Sequence, residues 1–390
     1  MALYGSALPD FPWDTLKAAR DQAAKYPAGE IDLTIGSPVD PAPQIAIQAL
    51  QAAADAHAYP PNSGSVPLRR AIRRFVREQA GCVADIDVLP TLGEKELVAL
   101  LPALLELGEG DRVAFPEVAY PTYEVGALLA GAEPIRVNPQ ADPDSWPYGI
   151  SLLWLNSPSN PTGHVLSVEQ LRAIVSWARE HGVIIASDEC YSALNWASDG
   201  EGGTPSVLSD AVCGGDASGL LMLYSLSKQS NLAGYRAAFV AGDPELIAPI
   251  REVRKHSGMM LPGPVQAAMV AALGDQNHVR EQRERYRARR EVLLAALPKA
   301  GLECDDADEA GLYLWVHAKA STAVTPRSAV TPNAWELVDA FARIGIIVAP
   351  GTFYGSNSEC ESHVRISLTA SDRDIRDAAA RLAHYSFPAE

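Results

Sequence analysis

"GLLMLYSLSKQSNLAGYRAAFVAG", residues 219–242, is an apolar run that stops on Ser225, Ser227 and Lys228, with Arg236 opening the next run. Taken alone, a lysine at such a boundary reads as solvated surface, so its meaning depends on the neighbouring runs. Similar short apolar stretches occur at 111–116 ("DRVAFP"), 151–158 ("SLLWLNSP"), 182–189 ("GVIIASDE"), 220–227 and 235–242. Amphipathic stretches separate them. In "SVEQLRAIVSWAREHG" (167–182) the apolar positions 168, 171, 174, 175 and 178 mark one helical face. Buried strands alternating with helices predict an α/β fold with a mainly parallel sheet.

The polar exceptions cluster where the runs end. Asn160 follows the run 151–158 in "SPSNPTG", Asp188 and Tyr191 close the run 182–189 in "SDECY", and Ser225, Ser227 and Lys228 close the third. Ligands of open α/β sheets bind beyond the carboxyl ends of the strands, so these residues define a candidate site.

Composition narrows the function. The chain has 390 residues, long enough for a large and a small domain. With 32 Lys and Arg against 48 Asp and Glu, the net charge of −16 argues against a nucleic-acid partner. No run approaches the ~20 apolar residues of a membrane span, and the start lacks a signal-peptide pattern. Five scattered cysteines without a CxxC fit a reducing cytoplasm, and the sparse histidines lack ligand spacing, so no metal is expected. Residues 275–301 read as a long charged helix. The strands at 311–318, 345–351 and 362–368, with a helix at 333–343, predict a smaller α+β unit. Segments 197–219 and 318–334, rich in small and turn residues, read as surface loops unable to support much core.

"NPTG", "DECY" and "SLSKQSNLAGYR", in that order, resemble the fold type I, pyridoxal-phosphate-dependent class I/II aminotransferases. So do "LTIGSPVDP" (33–41), "YPPNSGSVPLRRAI" (59–72), "FPEVAYPTYEVGALLAGA" (115–132), "APGTFYG" (349–355) and "HVRISL" (363–368). The resemblance implies a mainly parallel seven-stranded sheet in a large domain over 33–274, with 1–32 and 275–390 forming the smaller one. It implies pyridoxal 5'-phosphate as cofactor. Lys228 would hold the cofactor's aldehyde carbon and later move the substrate's proton. Asp188 would keep the pyridine nitrogen protonated, Asn160 and Tyr191 would reach the ring's phenolic oxygen, and Tyr120 would stack on the ring. Ser225, Ser227 and Arg236 would cradle the phosphate together with the helix start at Gly93, Glu94 and Lys95. Because a carboxylate repels a phosphate, the Glu94 side chain is expected to point away. Arg365 would fork onto the substrate α-carboxylate, helped by the backbone of Gly36. Tyr59 would reach the phosphate of a neighbouring subunit, which implies a homodimer.

Within the superfamily, "FPWDTL", "TLGEKELVALLP" and "YPTYEVGALLAGA" look most like the actinobacterial-type N-succinyldiaminopimelate aminotransferases. That resemblance points to glutamate as donor and an N-succinylated amino-keto-pimelate as acceptor, with Arg254, Lys255 and His256 as candidate anchors for the distal anion. Three alternatives stay open. They are an aminotransferase for aromatic or alanine-like substrates, a carbon–sulfur β-lyase, and a regulator's cofactor-binding half. The last needs a DNA-binding domain for which the stretch before Leu33 is too short.

Overall fold

A computed structural model describes residues 8–196, 203–305, 309–319 and 332–387. Thirteen strands are described: β1 (Ile31–Asp32), β2 (Asp87–Leu92), β3 (Arg112–Pro116), β4 (Glu133–Val137), β5 (Ile150–Asn156), β6 (Ile184–Asp188), β7 (Leu220–Ser225), β8 (Ala237–Gly242), β9 (Leu302–Cys304), β10 (Tyr313–Ala318), β11 (Ile346–Ile347), β12 (Ala349–Pro350) and β13 (His363–Ser367). Seven of them form one sheet in the order β2-β8-β7-β6-β5-β3-β4. Only β8 runs against its neighbours. This is the mainly parallel seven-stranded sheet that the resemblance implies.

The central strands are apolar on both faces because both faces are covered. Leu153, Leu155, Ile185 and Met222 enter one buried cluster, while the alternate residues Leu152, Trp154, Ala186 and Leu223 enter another. Helix Val168–His181 covers the first face. Ser167 and Gln170 close its N-terminus as a capping box, and Gly182, at φ 68°, ends it in the left-handed conformation.

A second, antiparallel sheet has the order β12-β13-β10-β9. Its core includes Trp315, Val316, Phe341 and Ile366, and also Leu16, Ala19, Ala23 and Leu33 from the start of the chain. β1 and β11 pair in parallel, Ile31 opposite Ile346. The charged helix Asn277–Ala296 is less exposed than its composition suggests. Arg289 is buried and forks onto Asp40 at 2.7 and 2.8 Å while also reaching Asp372.

Segment 197–219 departs from expectation. Residues 197–202 lie outside the described residues, but Val207, Leu208, Val212 and Cys213 are buried in the core. The backbone there is held by side chains from elsewhere. Arg172 donates to the Ala211 carbonyl, and Glu189 accepts from the Val207 amide at 2.9 Å. Composition missed this because the partners come from other elements. Of segment 318–334, residues 320–331 lie outside the described residues.

Candidate active site

The carboxyl ends of β5, β6 and β7 open into a cavity of about 350 Å³. Asn156 lies opposite Asp188 and Asp188 opposite Leu223, so strand register alone brings these ends level. The cavity is lined by Gly36, Glu94, Lys95, Tyr120, Asn160, Asp188, Tyr191, Ser225, Ser227, Lys228, Arg236 and Arg365, residues drawn from seven separate motifs. Gly93 stands just behind the lining. At φ +80° it starts helix Glu94–Leu104, and a Cβ there would lie 2.1 Å from Arg236 NH2. Tyr59 is not part of this chain's cavity, its ring being 93% exposed.

Asp188 is held on several sides. Tyr123 Oη donates to Oδ2 at 2.7 Å and the Cys190 amide to Oδ1 at 3.2 Å. The Asn156 side chain donates to the Asp188 carbonyl at 3.1 Å and accepts from the Asn160 amide at 2.7 Å, so it fixes both residues. Sequence reading passed over Tyr123 and Asn156. "FPEVAYPTY" supplied two tyrosines, and only the fold shows that the second reaches a carboxylate 65 positions away.

Glu94, whose side chain was expected to point away from the phosphate, faces Asp188 and Cys190. Its carboxyl points inward, with a ligand atom within 4.8 Å of those of Asp188 and Cys190, and Oε1 is buried without a partner. Burial first, and the Asp188 charge second, push its carboxyl well above the usual range. A carboxyl raised in this way keeps its proton more readily, which eases its approach to Asp188.

At the opposite end Arg365 is 2% exposed. It donates to Asn160 Oδ1 at 2.8 Å and to the Thr34 carbonyl, leaving Nε without a partner. Its guanidinium lies 3.8 Å from the Tyr313 ring centroid and 5.0 Å from that of Tyr354. Burial would raise the Tyr313 phenol, but Arg365 and Lys228 outweigh it and hold the phenol below its ordinary value. Tyr313 Oη also sits 3.3 Å from Tyr191 Oη, and a Cβ on Gly36 would come within 2.0 Å of it. Gly36 is thus required for close approach, a reason separate from the backbone role expected of it. Lys228 Nζ donates to the Gly36 carbonyl and so lies between the two ends.

The phosphate-type donors stand together. Ser225 Oγ and Ser227 Oγ are 2.8 Å apart, and Arg236 donates only to the Ala233 carbonyl among its described contacts. Two hydroxyls, an arginine and a helix N-terminus entered through glycine form a donor set suited to a phosphate dianion. Lys95 stands at the mouth, 5.2 Å from the Phe11 centroid and 5.6 Å from that of Tyr120. Among Arg254, Lys255 and His256, none lines the cavity. Arg254 is fully buried and bonded to Glu96 at 2.8 Å.

Comparison with known proteins agrees with this arrangement. Residues 28–382 match the family "Aminotransferase class I and II", and the chain belongs to that family. It is 48% identical to a probable aminotransferase of Mycobacterium tuberculosis over 97% of this chain and 86% of that protein. It is also 48% identical to the 4-dedimethylamino-4-oxo-anhydrotetracycline transaminase OxyQ of Streptomyces rimosus, over 96% of this chain and 99% of that one. Among solved structures, a probable N-succinyldiaminopimelate aminotransferase from Thermus thermophilus superposes with TM-score 0.82 at 26% identity, over 96% and 100% of the two chains. The chain is accordingly a pyridoxal-phosphate-dependent aminotransferase acting on amino and keto acids.

Proposed function

We propose that the chain moves the amino group of glutamate to a keto acid with an extended, anionic distal arm, N-succinyl-2-amino-6-oxopimelate being the acceptor that fits best. The observation that carries this reading is Lys95. Its ammonium stands over two aromatic rings at the cavity mouth, with no carboxylate partner among the described residues, where an acceptor's far carboxylate would meet it. The likeness to the Thermus thermophilus structure supports the same substrate.

When bound, pyridoxal phosphate supplies an aldehyde carbon that takes the substrate amine and a ring that withdraws electrons from the α-carbon. The chain's residues do the rest. Ser225, Ser227, Arg236 and the start of helix Glu94–Leu104 hold the phosphate. Asp188 keeps the ring nitrogen protonated, and Glu94 has to yield that space. Asn160 and Tyr191 serve the phenolic oxygen, and Arg365 with the Gly36 backbone orients the α-carboxylate. Lys228 Nζ would then take the α-proton and return it two bonds away, on the far side of the substrate nitrogen. Tyr59, exposed on this chain, completes the phosphate site of a partner in a homodimer.

A second reading rests on the aromatic wall of Phe11, Trp13 and Tyr120, which continues into a neighbouring cavity of about 620 Å³. That wall suits a bulky cyclic ketone of the kind named for OxyQ. A panel of keto acceptors, scored by single-turnover absorbance after loading with glutamate, separates the two. The succinylated acceptor should react fastest, Lys95→Ala should slow it selectively, and Lys228→Ala should be inert with every acceptor. Preference for an uncharged ring ketone, unaffected by Lys95→Ala, would reject the first reading.

A further inference from the structure

Asp305, His317 and His363 meet on the small sheet, far apart in sequence. Asp305 follows β9, while His317 on β10 lies directly opposite His363 on β13. Asp305 Oδ1 is 3.3 Å from His317 Nε2 and 3.3 Å from His363 Nε2, and the three ligand atoms lie within 4.8 Å of one another.

The other ring nitrogens determine what this contact means. His317 Nδ1 is 2.9 Å from the Ala318 carbonyl oxygen and His363 Nδ1 is 2.7 Å from that of Glu359. Ser362 Oγ, at 3.0 Å from His363 Nδ1, can share that bond. A carbonyl oxygen only accepts, so each Nδ1 carries a proton, and in the neutral ring each Nε2 presents a lone pair. Two lone pairs and a carboxylate oxygen then lie within 4.8 Å of one another, an arrangement that a cation would complete.

The spacing indicates which cation. A proton shared between imidazolium and carboxylate draws N and O to about 2.7–2.9 Å. A tetrahedral ion with bonds of about 2.0–2.1 Å holds adjacent ligand atoms roughly 3.3–3.4 Å apart. Both contacts, at 3.3 Å, have the second spacing. Metal-bound histidines also donate their remaining N–H to a carbonyl or carboxylate, the pattern found at both rings.

We propose that His317 Nε2, His363 Nε2 and an Asp305 oxygen form a binding site for a divalent transition-metal ion of the zinc class. The sequence expectation of no metal rested on linear spacing, which a site assembled across three strands does not display. The ion is a structural clip. It ties β9, β10 and β13 together two residues before Arg365, on the strand face where the Trp315 ring stacks on His363 at 5.2 Å and 17°. Two of the three ligands, Asp305 and His317, line a surface cavity of about 550 Å³.

The test is titration of the isolated holoenzyme with Co²⁺, read by visible ligand-field absorption, with Zn²⁺ as competitor. The intact protein should take up one Co²⁺ per chain, and Zn²⁺ should displace it. His317→Ala, a partly exposed position, should weaken uptake at least about tenfold while leaving the metal-free glutamate reaction unchanged. Asp305→Asn, beyond the end of its strand, serves if that variant does not fold. No Co²⁺ absorption in the intact protein, or uptake unchanged in a folded variant, overturns the proposal.

Discussion

The two ends of the active-site cavity bury charge in opposite ways. Around Asp188, carboxyl groups crowd together, one bonded by Tyr123 Oη and the other, Glu94, pushed by burial toward keeping its proton. Around Arg365, a cation stands with no carboxylate partner among the described residues, held by one amide oxygen, one carbonyl and the faces of Tyr313 and Tyr354. The first end has negative charge to offer a protonated ring nitrogen. The second keeps an unneutralised positive charge for an anion. An ion pair formed within either end would have consumed the charge that a ligand needs.

Removing the charge at the acid end should do most damage. Asp188→Asn keeps the shape but cannot hold a proton on the ring nitrogen. Transamination should fall by at least about a thousandfold, ~4 kcal/mol of barrier, with cofactor still bound by absorbance. Full activity in this variant would break the contrast between the ends.

Arg365→Lys should cost less, because charge remains and only the fork is lost. KM for glutamate and for the keto acid should rise together by about ten- to a hundredfold, from roughly 1.5–3 kcal/mol of charge-assisted bonding. A rise for the acceptor alone would mean that Arg365 reads the distal arm instead. Tyr123→Phe tests whether the acid end depends on its hydroxyl. The turnover rate should fall about fivefold to tenfold, ~1–1.4 kcal/mol, and KM should hardly move.

The smallest effect concerns Glu189, adjacent to Asp188 but turned into the core, where burial pushes its carboxyl up to about 7. The folded chain then holds a proton that the unfolded chain releases near 4.5. This stabilisation is complete below the unfolded value and is lost as pH rises through about 7. Glu189→Gln should flatten the fall in unfolding temperature over that window, by about 2–4 °C at its upper end. Parallel curves for the two proteins would show that Glu189 is ionised throughout.

The acid end was largely legible in the sequence, since Asn160, Asp188, Ser225 and Lys228 each stand at the end of an apolar run and strand register does the rest. The surroundings of Arg365 were not. Tyr313 and Tyr354 lie on other elements, and nothing in "GLYLW" distinguishes a tyrosine that covers a guanidinium from one that packs in a core. Where the Glu94 carboxyl goes was not legible for a related reason. Its ionisation depends on burial, and burial is a property of the folded chain.

One short series of amides also sets the gauge length of the site. The Asp188 carbonyl accepts from Asn156, Asn156 accepts from the Asn160 amide, and Asn160 Oδ1 accepts from Arg365. The first two links lie at the ends of the large sheet, and only the last reaches across to β13. If the small sheet swings outward to admit substrate, Arg365 to Asn160 is the link in this series that must part. That release costs roughly 1.5–3 kcal/mol, within reach of thermal motion on the timescale of turnover. An arriving α-carboxylate offers Arg365 a replacement acceptor at the moment of parting, so the same arginine can act as latch and as reader.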